Sequence, residues 1–194
     1  MPNEALTQQK PKYLIDTCAF VVFEELYPFD SWEAVWNFLL ELVDAGVVRT
    51  TDDVVEELKR RFYNLKVTDW VKKHEYKIKI VPKKEHYEYL QNEVYPKCDG
   101  LINPNITTTL YADPMLVAIA GYENFTLITD EAEIDVQPNT NSFKLKLPNH
   151  CKKINAKCIS GRYAWPKFFN ETGLVVNKFK TVPNVKSINN TFLK

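Results

Sequence analysis

Apolar residues recur along this chain in two rhythms, short unbroken runs and longer stretches at helical spacing. The first run, within residues 12–16, stops on a carboxylate, Asp16, and the run from Phe125 to Thr129 leads straight into Asp130 and Glu131. Unbroken runs of this kind predict strands buried on both faces of a parallel sheet. After the first comes a segment with Phe20, Val21, Val22 and Phe23. From Ser31, placed to cap, Trp32, Val35, Trp36, Leu39, Leu40 and Val43 predict a helix that Gly46 closes. Residues 47–50 predict a second strand, and Thr50 with Asp53 a capping box opening a helix over about 53–63. A further helix is expected over 67–74, an extended piece at 78–81 and a helix over 83–94 ended by Pro96.

Residues 99–109, with Gly100 and Pro104, read as a loop. Asp113 as cap and Pro114 in the first turn then start an apolar helix that stops near Gly121. The strand 126–129, an acidic loop, a helical turn at 150–153, a last strand at 156–159 and a last helix over 165–172 complete the pattern. Strands alternating with helices predict an α/β fold: a three-layer sandwich with a mainly parallel central sheet flanked by helices. One domain is expected over residues 12–176, between a polar tail at 1–11 and a basic tail at 177–194.

At 194 residues and 45% hydrophobic, the chain can bury a core without staples. No stretch has the roughly 18–20 apolar residues of a membrane helix. Residues 1–12 hold no apolar signal core, so a cytoplasmic protein is expected. Cys18, Cys98, Cys151 and Cys158 form no CxxC pair and read as reduced thiols. His150, Cys151 and Cys158 lack a fourth partner at zinc spacing. The formal net charge is zero, yet its distribution is uneven. Residues 1–58 carry twelve acids against Lys10, Lys12 and Arg49, while residues 59–84 carry ten Lys or Arg against Asp69 and Glu75. An acidic site beside a basic strip suits a metal-dependent enzyme acting on a polyanion; a solvated helical surface explains the strip equally well.

The acids have individual structural explanations. Asp16 and Asp113 can serve as caps, and Asp130, Glu131 and Glu133 can be a solvated loop. Glu57, unlike Glu56, shares a helical stripe with Val54, Leu58 and Arg61 and should face the sheet. Their co-occurrence at strand ends and helix starts points further. In a doubly wound sheet such acids meet at one edge, where like charges need a cation. Hard oxygen ligands favour Mg²⁺ or Mn²⁺.

Tyr-Leu-Ile-Asp-Thr at 13–17, Val-Val-Glu-Glu-Leu at 54–58, Ala-Asp-Pro-Met-Leu-Val-Ala-Ile-Ala at 112–120 and Leu-Ile-Thr-Asp-Glu at 127–131 occur in that order. Together they resemble the PIN-domain nucleases, a superfamily that includes VapC-type toxins, and residues 146–159 resemble the last strand region of a larger bacterial subgroup. The resemblance spans about residues 12–175. It implies a Rossmann-like sheet and metal-dependent hydrolysis of RNA, and in VapC-like members a dimer restrained by a small antitoxin. By position it assigns Asp16, Glu57, Asp113 and Glu131 as catalytic, metal-holding acids, with Asp130 competing for the fourth place. Thr17 and Thr129 are then expected to orient the cluster. Cys18 departs from the usual Asn, and Glu131 from the usual Asp, which bears on metal affinity.

The expectation is therefore a Mg²⁺- or Mn²⁺-dependent endoribonuclease of a bacterial type II toxin–antitoxin pair. Lys59, Arg60, Arg61, Lys72, Lys73, Lys83 and Lys84 are expected to hold RNA through its phosphates, with Tyr63, Tyr76 and Tyr87 available to stack bases. The rival is a PIN-like module that binds RNA or protein without turnover. A dinucleotide enzyme is disfavoured by the missing GxGxxG, and a haloacid-dehalogenase-like phosphatase by Cys18 where a second Asp is needed. A DNA nuclease would use the same acids.

Overall fold

Five parallel strands form one sheet in the order β3-β2-β1-β4-β5, flanked by helices as a three-layer, Rossmann-like sandwich. The structure, a computed structural model, describes residues 12–101 and 112–173; the expected tails and most of the 99–109 loop lie outside the described residues. The strands are β1 (Tyr13–Ile15), β2 (Val48–Thr51), β3 (Lys79–Ile80), β4 (Thr126–Thr129) and β5 (Lys157–Ser160). The chain moves outward from β1 to β2 and β3, then crosses back to place β4 on the other side of β1. That reversal opens a crevice between the carboxyl ends of β1 and β4, where open α/β sheets bind ligands. Leu14 pairs with Leu127 and Ile15 with Ile128, and the Asp16 N–H reaches the Ile128 carbonyl at 3.0 Å.

The helices between β1 and β2 are α1 (Thr17–Leu26) and α2 (Glu33–Asp44). The Phe20–Phe23 segment, left without an element from its pattern, belongs to α1 and buries Phe20 and Phe23. α2 starts without help from Ser31, whose N–H instead closes a turn onto Pro28 at 3.0 Å. α3 (Asp52–Arg61) is capped by Thr51, not Thr50. The Thr50 hydroxyl is drawn into the sheet, donating to the Ile15 carbonyl at 2.7 Å. α4 (Lys66–Ile78) runs longer than its apolar spacing predicts.

Pro96 does not end the next helix. α5 (Lys84–Tyr89) passes through a wide π turn (Leu90–Val94) into α6 (Tyr95–Lys97). The Tyr95 N–H bonds five residues back to Leu90, so the ring of Pro96 enters a turn already widened. α7 (Asp113–Tyr122) is buried all round, from Pro114 to Ala120, and Asp113 lies in its first turn with Ala112 at the cap. The helix ends one residue past Gly121, near where its pattern stops. A Cβ at Gly121 would meet the Tyr89 hydroxyl at 2.7 Å and Ile154 at 2.8 Å, so glycine there also lets those side chains approach. α8 (Leu147–Lys153) is nearly twice the turn expected, and α9 (Ala164–Thr172) ends at left-handed Gly173. Among the described residues no helix is long and apolar enough to cross a membrane.

α9 locks the sheet from one side, packing on β4 and β5. Phe168, fully buried, stands edge-on to Tyr13 at 4.9 Å, and Trp165 lies 4.4 Å from Phe23 while its indole N–H donates to the Ala19 carbonyl at 2.9 Å. These contacts fasten α1, and so Asp16, to the far end of the chain. Phe168→Ala is expected to cost about 3–5 kcal/mol, read as a lower urea midpoint at unchanged slope. A loss below about 1 kcal/mol would show that α9 does not hold the core.

Candidate functional site

β1 ends where its backbone must turn into α1, and the carboxylate there is 5% exposed. Asp16 caps α1, taking the Thr17 N–H on Oδ1 at 2.6 Å. Its Oδ2 accepts from the Cys18 thiol at 2.8 Å and from the Thr129 hydroxyl, at the end of β4, at 2.9 Å. All three donors are neutral. Burial pushes the Asp16 carboxyl up to about 6, with these hydrogen bonds working against the rise and the Glu131 charge adding to it.

Thr129 is the hinge of the arrangement. While donating to Asp16, its hydroxyl accepts the Glu131 N–H at 3.2 Å, tying the two strand ends together. Thr17 does the same toward α3, donating from its hydroxyl to Glu57 Oε2 at 2.9 Å. Glu57 lies on the inner stripe beside buried Val54 and Leu58, and Arg61 one turn on pairs with its other oxygen. Glu56 is on the solvent side, bound to Lys59 at 2.8 Å. Thr17 thus meets Asp16 through its N–H and Glu57 through its hydroxyl, while Thr129 meets the Asp16 carboxylate and the backbone of Glu131.

Glu131 is gripped from α8. Its Oε2 takes the Leu147 N–H at 2.8 Å and its Oε1 the Lys146 ammonium at 2.9 Å. The pKa of Lys146 is raised, chiefly by its bond to Glu131. Asp113 stands in the first turn of α7, the helix that leads into β4. Asp130, the competitor of Glu131, points its N–H at Cys18 Sγ at 3.3 Å. Cys18 fills the position expected of a polar orienting group, donating to Asp16 and standing 3.2 Å from Thr129 Oγ1. Lys146 and Cys18 were not among the expected site residues. Lys146 had no charge pattern to mark it, only its place ahead of Leu147-Pro148.

The expected acids are brought to one sheet edge but do not form a ready cage. Among the described residues, no three His, Cys, Asp or Glu side chains are grouped so as to hold a metal ion. Glu57 and Glu131 each carry a cationic partner, Arg61 and Lys146. The donor set itself suits a small hard cation. It consists of carboxylate oxygens, one of them buried on neutral donors, with an ammonium already drawn among them.

The basic segment is less free than its composition implies. Lys59 bonds Glu56 and Glu75, Arg61 pairs with Glu57, Lys66 with Asp30, Lys72 with Asp69 and Lys84 with Glu88. Lys77 reaches Asp44 at 2.6 Å. The acids of the first 58 residues thus neutralise part of the strip that follows them, through mostly exposed pairs of small individual worth. Among the described residues, Arg60, Lys73 and Lys83 form no such pair. Tyr63, Tyr76 and Tyr87 are all exposed. An open groove of about 620 Å³ runs between the loop after β4 and α8, but Asp16, Glu57, Asp113 and Glu131 do not line it.

Residues 13–163 match the family DUF4411, described as a domain of unknown function, and the chain belongs to that family. No curated protein and no solved structure matches the chain.

The seat of α8, which fixes both anchors of Glu131, depends on a buried histidine. His150 is 1% exposed, with Nδ1 unpartnered and the ring held by the Leu145 carbonyl. Burial, reinforced by Lys153, lowers its pKa to about 4. The unfolded chain, at the ordinary value near 6.5, therefore binds the proton first as pH falls. Stability from this residue is complete above about pH 6.5 and is lost down to about pH 4, by up to about 3 kcal/mol. His150→Gln, which keeps the donor to Leu145, should flatten the urea-stability profile between pH 7 and 4.5. Parallel profiles for the two proteins would reject the assignment.

Proposed function

We propose that this member of the DUF4411 family is a PIN-like, divalent-metal-dependent endoribonuclease. The observation that carries the reading is the Thr129 hydroxyl, which donates to the buried Asp16 carboxylate and accepts the backbone N–H of Glu131 in the crevice where strand order reverses. Glu57 enters the same network through Thr17, and Asp113 opens α7, the helix that leads into β4. The four ordered motifs that resemble PIN-domain nucleases supply those same acids.

In this reading Asp16, Glu57, Asp113 and Glu131 hold Mg²⁺ or Mn²⁺, with Asp130 beside them. The bound ion would lower the pKa of an attacking water and neutralise charge on the scissile phosphate. The chain's own residues do the positioning. Thr129 and Cys18 fix Asp16 Oδ2, Thr17 fixes Glu57, and the Leu147 N–H fixes Glu131. Backbone phosphates of RNA are held by Arg60, Lys73 and Lys83, and by Lys59, Arg61, Lys72 and Lys84 once they exchange carboxylate partners for phosphate. Charge-assisted bonds of the guanidinium to phosphate make Arg61, adjacent to Glu57, the residue best placed to link strip and site.

Role as a toxin, with a small antitoxin and a homodimer, rests on the resemblance alone. A cytoplasmic location is supported by four free cysteines, two of them fully enclosed. One observation favours a second reading, an RNA- or protein-binding module without turnover. Arg61 and Lys146 already satisfy Glu57 and Glu131, as they would in a site that had given up its ion.

Purified full chain with single-stranded and structured RNA separates the two. Cleavage should require Mn²⁺ or Mg²⁺, stop in EDTA, and fall by roughly three orders of magnitude in Asp16→Asn. Cleavage equal in EDTA or in the variant would overturn the metal-site reading. Salt-sensitive RNA binding without cleavage would establish the non-catalytic one.

A further inference from the structure

Lys146 has a role that neither the strip nor the fold accounts for. It lies just before α8, 15 residues after Glu131, and its ammonium is 2.9 Å from Glu131 Oε1. The backbone N–H of the next residue, Leu147, already satisfies the other oxygen. Glu131 therefore keeps a fixed anchor if the lysine leaves. Its bond to Glu131 is the chief cause of its raised pKa, so the ammonium stays charged beside that carboxylate. Its side chain is about half exposed, at 48%, so water can take up its head as it moves.

We infer that Lys146 is a built-in counter-ion, occupying the cation position beside Glu131 in the ion-free protein and yielding it when a divalent ion binds. This rests on the metal-site reading above. A monovalent ammonium and a divalent ion cannot share one carboxylate cluster without strong repulsion, so binding of one weakens the other. Arg61 does not play this part, because its carboxylate, Glu57, lies one helical turn away on the same element and its guanidinium is 60% exposed. Displaced from Glu131, Lys146 remains at the crevice rim, where the substrate phosphate must approach. It is a positioning residue: it neutralises Glu131 before loading and meets the phosphate after it.

The test is Mn²⁺ binding to the full chain by calorimetry, comparing wild type, Lys146→Met and Lys146→Arg, with folding checked by circular dichroism. Lys146→Met should bind Mn²⁺ about tenfold more tightly, and Lys146→Arg, which keeps the charge, should stay near wild type. With saturating Mn²⁺, Lys146→Met should raise KM for RNA several-fold with kcat largely kept, and Lys146→Arg should restore it. Wild type that binds Mn²⁺ while Lys146→Met binds it equally or more weakly would overturn the counter-ion role and leave the nuclease reading standing. Wild type that binds no Mn²⁺, with Asp16→Asn indistinguishable, would overturn both.

Discussion

The hydroxyl of Thr129 holds the candidate site together. It donates to a buried carboxylate at the end of β1 and accepts a backbone N–H two residues beyond itself, across the seam where the sheet reverses its order. A hydroxyl can do this because it is donor and acceptor at once. Valine, of similar shape, would fill the same space and leave Asp16 Oδ2 with the Cys18 thiol alone. The register of β1 on β4 sets the geometry, since Ile15 opposite Ile128 brings Asp16 level with Thr129. Strand pairing, helix start and acid cluster are therefore one construction.

That construction leaves a surplus of negative charge. Asp16 is enclosed by neutral donors, and its pKa rises for want of a charge partner. The remaining acids recruit cations from their neighbourhood: Glu57 from one turn along α3, Glu131 from the residue before α8. Elsewhere on the surface several acids also pair with nearby bases. Asp30, Asp44 and Glu56 take up Lys66, Lys77 and Lys59. Part of the uneven charge along the sequence is thus balanced in space, which a linear count cannot display.

Much of the fold was legible from apolar spacing. β4 falls on the residues its pattern marks, and the parallel α/β sandwich follows from alternation of runs and helices. The misplaced details turn on backbone and side-chain surroundings that residue type does not display. Thr50 gives up the cap because Ile15 offers a carbonyl inside the sheet. Pro96 is tolerated because the backbone has opened a π turn ahead of it. Gly121 marks the end of α7 to within one residue and also serves the approach of Tyr89 and Ile154. At the site, spacing marked Glu57 over Glu56 correctly for facing inward, because helical stripes are local. Lys146 escaped notice because its partner is reached only after an irregular loop returns to the sheet edge.

Cys18 shows how the network accommodates a departure without losing shape. A thiol is a weak donor and weak acceptor, yet here it does both, toward Asp16 and from the Asp130 N–H. Burial and the adjacent carboxylate push its own pKa up, so it stays protonated and adds no charge to the cluster. An amide at this place would offer a stronger donor and would hold Asp16 more firmly; a thiol leaves that carboxylate easier to detach from its protein partners. Under the proposed metal-site reading, weaker internal solvation would make an incoming cation a better competitor for Asp16 and offset the loss of a polar orienting group. The departure at Cys18 is therefore consistent with that proposal.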